Sequence, residues 1–309
     1  EYIVNDSDCL ILICEDQEQA DKIIEVKNYL PKITTVVVIN TKGMKSYKQT
    51  WLMNWSEFYH IGKSRLITSN DFVKDNLLSQ NLEDVALIVY TSGSTGKPKG
   101  AMLTWKNISF TAESAISENA FSASDSCLSY LPLCHVAEQL VSVTTGIGAG
   151  IEVNFGESLR TIQKDLQEIG PSVFLGVPRI WEKMHSGLQV KIEEASGIRQ
   201  WLYKLAISSC EPFSEKPRNS WTPKERFIFL LYYLIVFRAL QNHLGLSRAR
   251  VLISGAAPIS PTLLRFFRTI GLPICEAFGM TETSALGFMQ DKNNLISGTV
   301  GFPYPGVDA

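Results

Sequence analysis

YTSGSTGKPKG occupies residues 90–100 and continues directly from the apolar run VALIVY at 85–90. A β-branched run that ends in glycine, hydroxyl residues and lysine can deliver backbone N–H groups to phosphate oxygens. The familiar P-loop is one such device, and it requires G-x-x-x-x-G-K-[ST]. Here the residue five positions after Gly93 is Pro98, and Lys97 is followed by Pro98 instead of Ser or Thr. The stretch is therefore not a P-loop. On composition it is either a phosphate cradle of another kind or a surface hairpin of ordinary turn residues.

On both sides of this loop, apolar runs alternate with helical patterns. That alternation predicts an α/β fold with parallel or mixed sheets covered by helices. Strands are expected at 9–14 (CLILIC), 35–40 (TVVVIN), 85–90, 127–131, 151–155, 172–176 (SVFLG), 250–254 (RVLIS) and 273–278 (PICEAF). The first and third of these read as buried. Helices are expected at 16–30, 105–121, 138–147, 159–169, from Pro178 onward, up to about 244, and at 261–270. Residues 41–80 read as less regular, and 211–225 as a polar, proline-containing connector. The run FIFLLYYLIVF at 227–237 is short of the ~20 residues that cross a bilayer, which favours a buried core helix. Its basic neighbours Lys224, Arg226 and Arg238 leave a peripheral membrane contact as the alternative.

The composition is that of a soluble globular protein: 309 residues, 45% hydrophobic, 19% charged, net charge −2. A near-neutral chain without a basic tract argues against nucleic acid as a partner. Six scattered cysteines, without C-x-x-C or Cys/His spacing, fit buried free thiols in the reducing cytoplasm better than zinc or disulfides. The chain begins without methionine and ends on PGVDA, so both ends are expected to be cut from something longer.

In open α/β sheets, ligands bind beyond the carboxyl ends of the strands. Besides residues 90–100, two loops take that position. SGAAP (254–258) offers small residues for close approach of a flat ligand. EAFGMTETS (276–284) combines an aromatic face for stacking, threonine hydroxyls and the carboxylate of Glu282, which beside phosphates would hold Mg²⁺. Each of these two signals is weak alone, but together the three loops supply a cradle, a slot and a metal carboxylate.

YTSGSTGKPKG, SGAAP, FGMTE (278–282) and GTVGFPYPG (298–306), in this order, closely resemble the AMP-forming acyl-adenylate superfamily. YLPLCHVAEQ (130–139), GVPRIWEKM (176–184) and the apolar segment before LISGAAPIS (252–260) are most similar to long-chain fatty-acyl-CoA synthetases, including the bubblegum-type and bacterial groups. The resemblance implies a two-step reaction. A fatty-acid carboxylate attacks the α-phosphorus of ATP to give acyl-AMP and pyrophosphate, and the thiol of CoA then displaces AMP.

By motif position, Thr91, Ser92, Gly93, Ser94 and Thr95, then Gly96, Lys97, Pro98 and Lys99, would wrap the β- and γ-phosphates. Gly255, Ala256 and Ala257 would line the adenine. Ala277, Phe278, Gly279 and Met280 would flank the nucleotide; Phe278 stands where the family often has Tyr, keeping the stacking face without the hydroxyl. Thr281 would contact the α-phosphate, and Glu282 would hold Mg²⁺ with help from Thr91. With Lys99 and His135, at the wall between acyl and nucleotide sites, these form the expected catalytic set. Their shared role would be to stabilise the negative charge of the transition state. Trp181 falls where long-chain synthetases place a tryptophan gating the acyl tunnel; a core aromatic is the equal alternative.

The resemblance also places residues 1–309 within the large AMP-binding domain. The mobile C-terminal lid would follow residue 309, so this chain alone is expected to bind ATP weakly and turn over little. Two rival readings stay open: an adenylating enzyme for another carboxylic acid, and a non-catalytic nucleotide- or acyl-binding remnant. The chemically intact Lys99, Thr281 and Glu282 weigh against the remnant.

Overall fold

The structure, a computed structural model, describes residues 1–69, 71–92, 96–296 and 298–309. The chain divides into two compact units, Glu1–Met102 and Leu103–Ala309.

In the first unit, β1 (Ile11–Cys14), β2 (Thr35–Val38) and β3 (Leu52–Asn54) form a parallel sheet in that order. The helix Gln17–Val26 connects β1 to β2 and is capped by Asp16, whose carboxylate accepts the Gln19 N–H at 3.2 Å. Val36, Val37 and Val38 on the central strand are fully buried. Residues 41–80 are more regular than their sequence indicates. Asn54 and Glu57 form a reciprocal capping box that starts the helix Trp55–Thr68, and a helix Phe72–Leu78 follows.

β4 (Val85–Thr91) and β5 (Lys99–Thr104) make a separate two-stranded sheet. The expectation that β1 and β4 are buried strands is corrected. Ile11 and Ile13 are about half exposed on an edge strand, and of β4 only Val89 is buried. Continuous apolar runs indicate two covered faces, but neither strand lies inside a wide sheet among the described residues.

The second unit is built on a seven-stranded mixed sheet, with spatial order β12-β11-β10-β9-β8-β6-β7. Its strands are β6 (Ser126–Ser129), β7 (Glu152–Phe155), β8 (Val173–Gly176), β9 (Val251–Ser254), β10 (Ile274–Phe278), β11 (Phe288–Met289) and β12 (Phe302–Pro303). The first five run parallel, while β11 and β12 join antiparallel. Both faces are covered, and the period-2 alternation of the strands shows it. Val173 and Val251, paired in register, pack with Cys127 on one face; their neighbours Phe174 and Leu252 pack on the other with Trp181, Leu166 and Phe267.

Two segments differ from expectation. The helix Gly197–Ser214 continues through Pro212 into the supposed connector. Pro212 removes a single donor in the last turn, while Phe213 is buried edge-on against Trp221 at 4.9 Å. Further on, helical turns run from Pro223 to Leu244, including a π-helical stretch at Tyr233–Phe237. Val236 and Phe237 are buried, but Phe227, Leu230, Leu234 and Ile235 are exposed, so the core-helix reading holds for one face only.

Four of the cysteines are buried, Cys9 is partly so, and Cys134 is exposed.

One ion pair, with its carboxylate buried and its guanidinium half-buried, ties the sheet together. Asp125, just before β6, is 3% exposed and accepts from Arg250 Nε at 2.7 Å, from Arg250 Nη2, from Ser172 Oγ at 2.7 Å and from Ser122 N–H at 3.0 Å. Arg250 also donates to the carbonyls of Asn119 and Ala120 at the end of the helix Trp105–Asn119. These bonds, the Arg250 guanidinium first, hold the Asp125 carboxyl down at about 2. A folded-state value below the unfolded one adds stability above pH ~4 that is lost as pH falls toward 2. Urea unfolding should therefore show an acid-side loss of about 2 kcal/mol attributable to this group. Asp125→Asn should be less stable at neutral pH and flatter from pH 5 to 3; an unchanged profile would refute the assignment.

As a control on the exposed surface, a Cβ added at Gly62 in the helix Trp55–Thr68 would meet nothing within 4 Å. Gly62→Ala should raise stability by about 1 kcal/mol, read as a higher unfolding midpoint.

Candidate active site at the carboxyl ends of the central strands

The wall after β6 is shaped by a residue that the sequence motifs do not single out. Glu138 is 3% exposed, and its carboxylate accepts from Ser129 Oγ and Ser142 Oγ, both at 2.5 Å, and from Leu131 N–H at 3.1 Å. It thereby holds the turn at 131–138 against the end of the strand. A carboxylate in a largely apolar stretch, VAEQLV, was the available signal, since such groups are buried only when their bonds are satisfied.

His135 caps the helix that begins at Val136, its Nδ1 accepting the Ala137 N–H at 3.2 Å. With Nδ1 used as acceptor, the neutral ring carries its proton on Nε2 and keeps one donor. The helix then opens into a π-helical stretch at Gln139–Thr145, a distortion common beside functional sites.

A cavity of about 250 Å³ sits where β8, β9 and β10 end. It brings together His135, Gly255, Ala256, Ala277, Gly279, Met280 and Thr281, all expected site residues from three separate motifs. The rest of its wall is apolar: Leu131, Val177, Ile253, Leu286 and Tyr304. Those residues carry no signature of their own, although each lies inside or next to a motif. Ala257, Phe278 and Glu282 do not line the cavity and are exposed. Phe278 leans on Phe288 with ring centroids 6.2 Å apart. Glu282 projects from the short 3₁₀ turn Thr281–Thr283.

Strand alternation keeps a second carboxylate away from this cavity. Glu276 pairs with Ser254 across β9 and β10, on the face opposite Ile253 and Ala277. Burial raises its pKa.

The loops hold non-glycine residues in the left-handed region: Ala256 at φ 71°, Ser284 at 53° and Ala285 at 69°. Each costs on the order of 1–2 kcal/mol, and such residues cluster where a site over-determines its backbone. The 280–285 turn is closed by Met280 N–H to Thr283 Oγ1 at 3.0 Å and Ala285 N–H to the Met280 carbonyl at 2.9 Å.

The expected phosphate loop belongs to the first unit. Gly96 adopts φ +119°, a conformation that favours glycine. Lys97 Nζ lies 4.8 Å from the centre of the Tyr2 ring, and Tyr90 Oη donates to Asp6 at 2.8 Å. Thr91 is half-buried, while Ser92 and Lys99 are exposed. Gly93, Ser94 and Thr95 lie outside the described residues. The expected Mg²⁺ pair, Glu282 and Thr91, falls in different units.

Trp181 is a packed core residue. It is fully buried, donates Nε1–H to the Gly176 carbonyl at 3.0 Å, and stands edge-on to Phe174 and Phe267 at 5.3 Å each. A Cβ on Gly176 would come within 2.6 Å of its ring, so that glycine is required by close packing.

Curated relatives agree with the motif order. The chain is 32% identical over 295 residues to the long-chain-fatty-acid–CoA ligase ACSBG2 of Rattus norvegicus, covering 92% of this chain and 43% of that protein. It is 29% identical over 314 residues to ACSBG1 of the same species, covering 99% and 42%. The chain thus spans less than half the length of these relatives. Among solved structures, ATP-bound MatB from Rhodopseudomonas palustris superposes with TM-score 0.61 at 19% identity, covering 99% of this chain and 47% of that one. An archaeal long-chain-fatty-acid-CoA ligase, FadD1 of Archaeoglobus fulgidus, gives 0.56 at 18%, covering 98% and 49%. These likenesses show the fold of acyl-adenylate-forming enzymes. The family model described as AMP-binding enzyme matches residues 1–309, and the chain belongs to that family.

Proposed function

We propose that this chain carries the nucleotide and acyl-transfer site of an AMP-forming long-chain fatty-acyl-CoA ligase. The observation that supports the reading most is the convergence of His135, Gly255, Ala256, Ala277, Gly279, Met280 and Thr281 on one half-apolar cavity at the strand ends. Thr281 and His135 offer donors beside an apolar wall, which suits a junction between a polar phosphoryl group and an alkyl chain. In this role Thr281 binds an α-phosphate oxygen. The His135 ring orients the carboxylate, and Gly255 and Ala256 leave room for a flat base. The apolar wall excludes water, which strengthens every donor inside.

The donor chemistry fits Mg²⁺. Glu282 supplies a hard carboxylate oxygen, and Mg²⁺ takes one or two carboxylates plus substrate phosphates instead of a dedicated protein cage. Among the described residues no cluster of three or more His, Cys, Asp or Glu is present. Glu282 would hold the ion, which when bound neutralises phosphate charge. CoA is the acceptor in this reading, and the relatives named as long-chain ligases support a long-chain acid over an aryl one.

Thermal unfolding with Mg·ATP, a palmitoyl-adenylate mimic and a benzoyl-adenylate mimic tests the reading. Ligand at ~100 times its dissociation constant adds about 2.7 kcal/mol of stability. The palmitoyl mimic should shift the midpoint more than the benzoyl mimic, and Glu282→Ala should reduce the Mg·ATP shift while sparing the unliganded midpoint. A cooperative melt that no ligand moves, or equal shifts in wild type and Glu282→Ala, would sink it.

Gly279 supplies a second test. Its Cβ would fall 2.1 Å from the Ala285 carbonyl oxygen, which is backbone and cannot swing away. Gly279→Ala should lower stability by about 1–3 kcal/mol and abolish the shift from the adenylate mimic, because the turn bearing Thr281 must open.

A further inference from the structure

Glu138 is a buried acid to which the proposed reaction gives no part, and its bonds converge on the loop that carries His135. β6 ends at Ser129, and the next helix begins only at Val136. Between them the chain turns beside the cavity without regular structure, and such loops ordinarily move. This one is bonded at each of residues 131, 132 and 133. The Leu131 N–H donates to one Glu138 oxygen at 3.1 Å. The Pro132 carbonyl accepts the His135 N–H at 2.8 Å, and the Leu133 carbonyl accepts Gln139 Nε2 at 2.7 Å. The other Glu138 oxygen accepts Ser129 Oγ from the strand and Ser142 Oγ from the π-helical stretch, both at 2.5 Å. The Glu138 N–H donates to the His135 carbonyl at 3.0 Å, which closes the circuit.

Packing alone does not call for a carboxylate at this place. An apolar side chain would fill it without the desolvation that a buried acid suffers. What a carboxylate adds is two acceptor oxygens, enough for three donors that come from both sides of His135. A glutamine has one acceptor oxygen, and its amide N–H₂ would face a donor instead. The clamp acts on the ring through the backbone. With residues 129–131 tied to Ser142, His135 stays at the helix start, where Nδ1 accepts the Ala137 N–H at 3.2 Å. That bond leaves Nε2–H as the donor in the cavity shared with Thr281. We propose that Glu138 is a positioning residue for the acyl-transfer chemistry. It holds His135 in one tautomer and one place, so that Nε2–H meets the acyl carboxylate group of the substrate and not the nucleotide. The identity of that ligand rests on the acyl-adenylate reading; the placing of the ring by Glu138 does not.

Nitrogen NMR of the 309-residue chain labelled with ¹⁵N-histidine tests the placing without any ligand. The chain has four histidines, and His135→Asn identifies the signal. Near pH ~8, above the ordinary imidazole range, wild-type His135 should carry its proton on Nε2. In Glu138→Gln the share of the Nδ1–H tautomer should rise at least about fivefold. Titration with a palmitoyl-adenylate mimic and with AMP reads the consequence. Glu138→Gln should bind the mimic at least about tenfold more weakly and AMP less than about twofold more weakly. Ser142→Ala removes one donor and leaves the carboxylate in place, so it should shift both readouts in the same direction by less. That variant decides the matter if Glu138→Gln does not fold. A role confined to stability predicts a lower unfolding midpoint with the tautomer and the ratio of the two affinities unchanged, and that result would overturn the proposal. So would a wild-type His135 protonated on Nδ1. A wild type with the expected tautomer that binds neither ligand would instead count against the acyl-adenylate reading, and the tautomer shift in the variants would still decide the role of Glu138.

Discussion

The Asp125–Arg250 pair fixes where three neighbouring strands begin. Asp125 precedes β6, Ser172 precedes β8 and Arg250 precedes β9, and the Ser172 and Arg250 side chains both donate to the Asp125 carboxylate across sequence separations of 47 and 125 residues. In a parallel sheet, aligned starts produce aligned ends. The loops bearing His135, Val177 and Gly255 leave those far ends together, so the cavity inherits its shape from a polar cluster at the opposite edge of the sheet. The same cluster anchors the carbonyls at the end of the helix Trp105–Asn119. A buried carboxylate with this many donors is satisfied, which lets it act as a staple and not as a defect.

At the cavity itself, rigidity comes from local polar closure. Glu138 gathers two hydroxyls and one backbone N–H, and the 280–285 turn is closed by bonds through Met280. Ala256, Ser284 and Ala285 remain in left-handed conformations that their side chains disfavour. Loops held this way on a rigid sheet keep donors in place before a ligand arrives, which is what stabilisation of developing charge requires.

The helical segment Pro223–Leu244 meets two surroundings at once, and its sequence is apolar toward both. Its inner residues pack with Trp221 and Phe229 in the aromatic core, where Arg218 lies over both rings. Outward, apolar side chains dominate, with exposed Arg226, Arg238 and Asn242 interspersed among them. Amphipathicity here is therefore not read from hydrophobic against polar residues; the difference between the faces is one of neighbours.

The amino-acid sequence alone determined the α/β class, the five parallel strands of the second unit to within a residue or two though not the short antiparallel β11 and β12, and the loops that converge on the cavity. Those features rest on local patterns: β-branched runs, glycine-rich turns and motif order. Capping at Asn54 was equally local, and its Asn-x-x-Glu spacing was there to be read. Tertiary structure alone decided burial and partnership. The runs 9–14 and 85–90 look buried but are half exposed, because exposure depends on what covers a strand and not on the strand. Pro212 reads as a breaker, yet packing of Phe213 carries the helix past it. Glu138, the Asp125–Arg250 staple and the sunken position of Trp181 depend on groups distant in sequence or hidden by the fold. No single stretch of chain contains that information, because each becomes specific only when another segment supplies its hydrogen bonds and contacts.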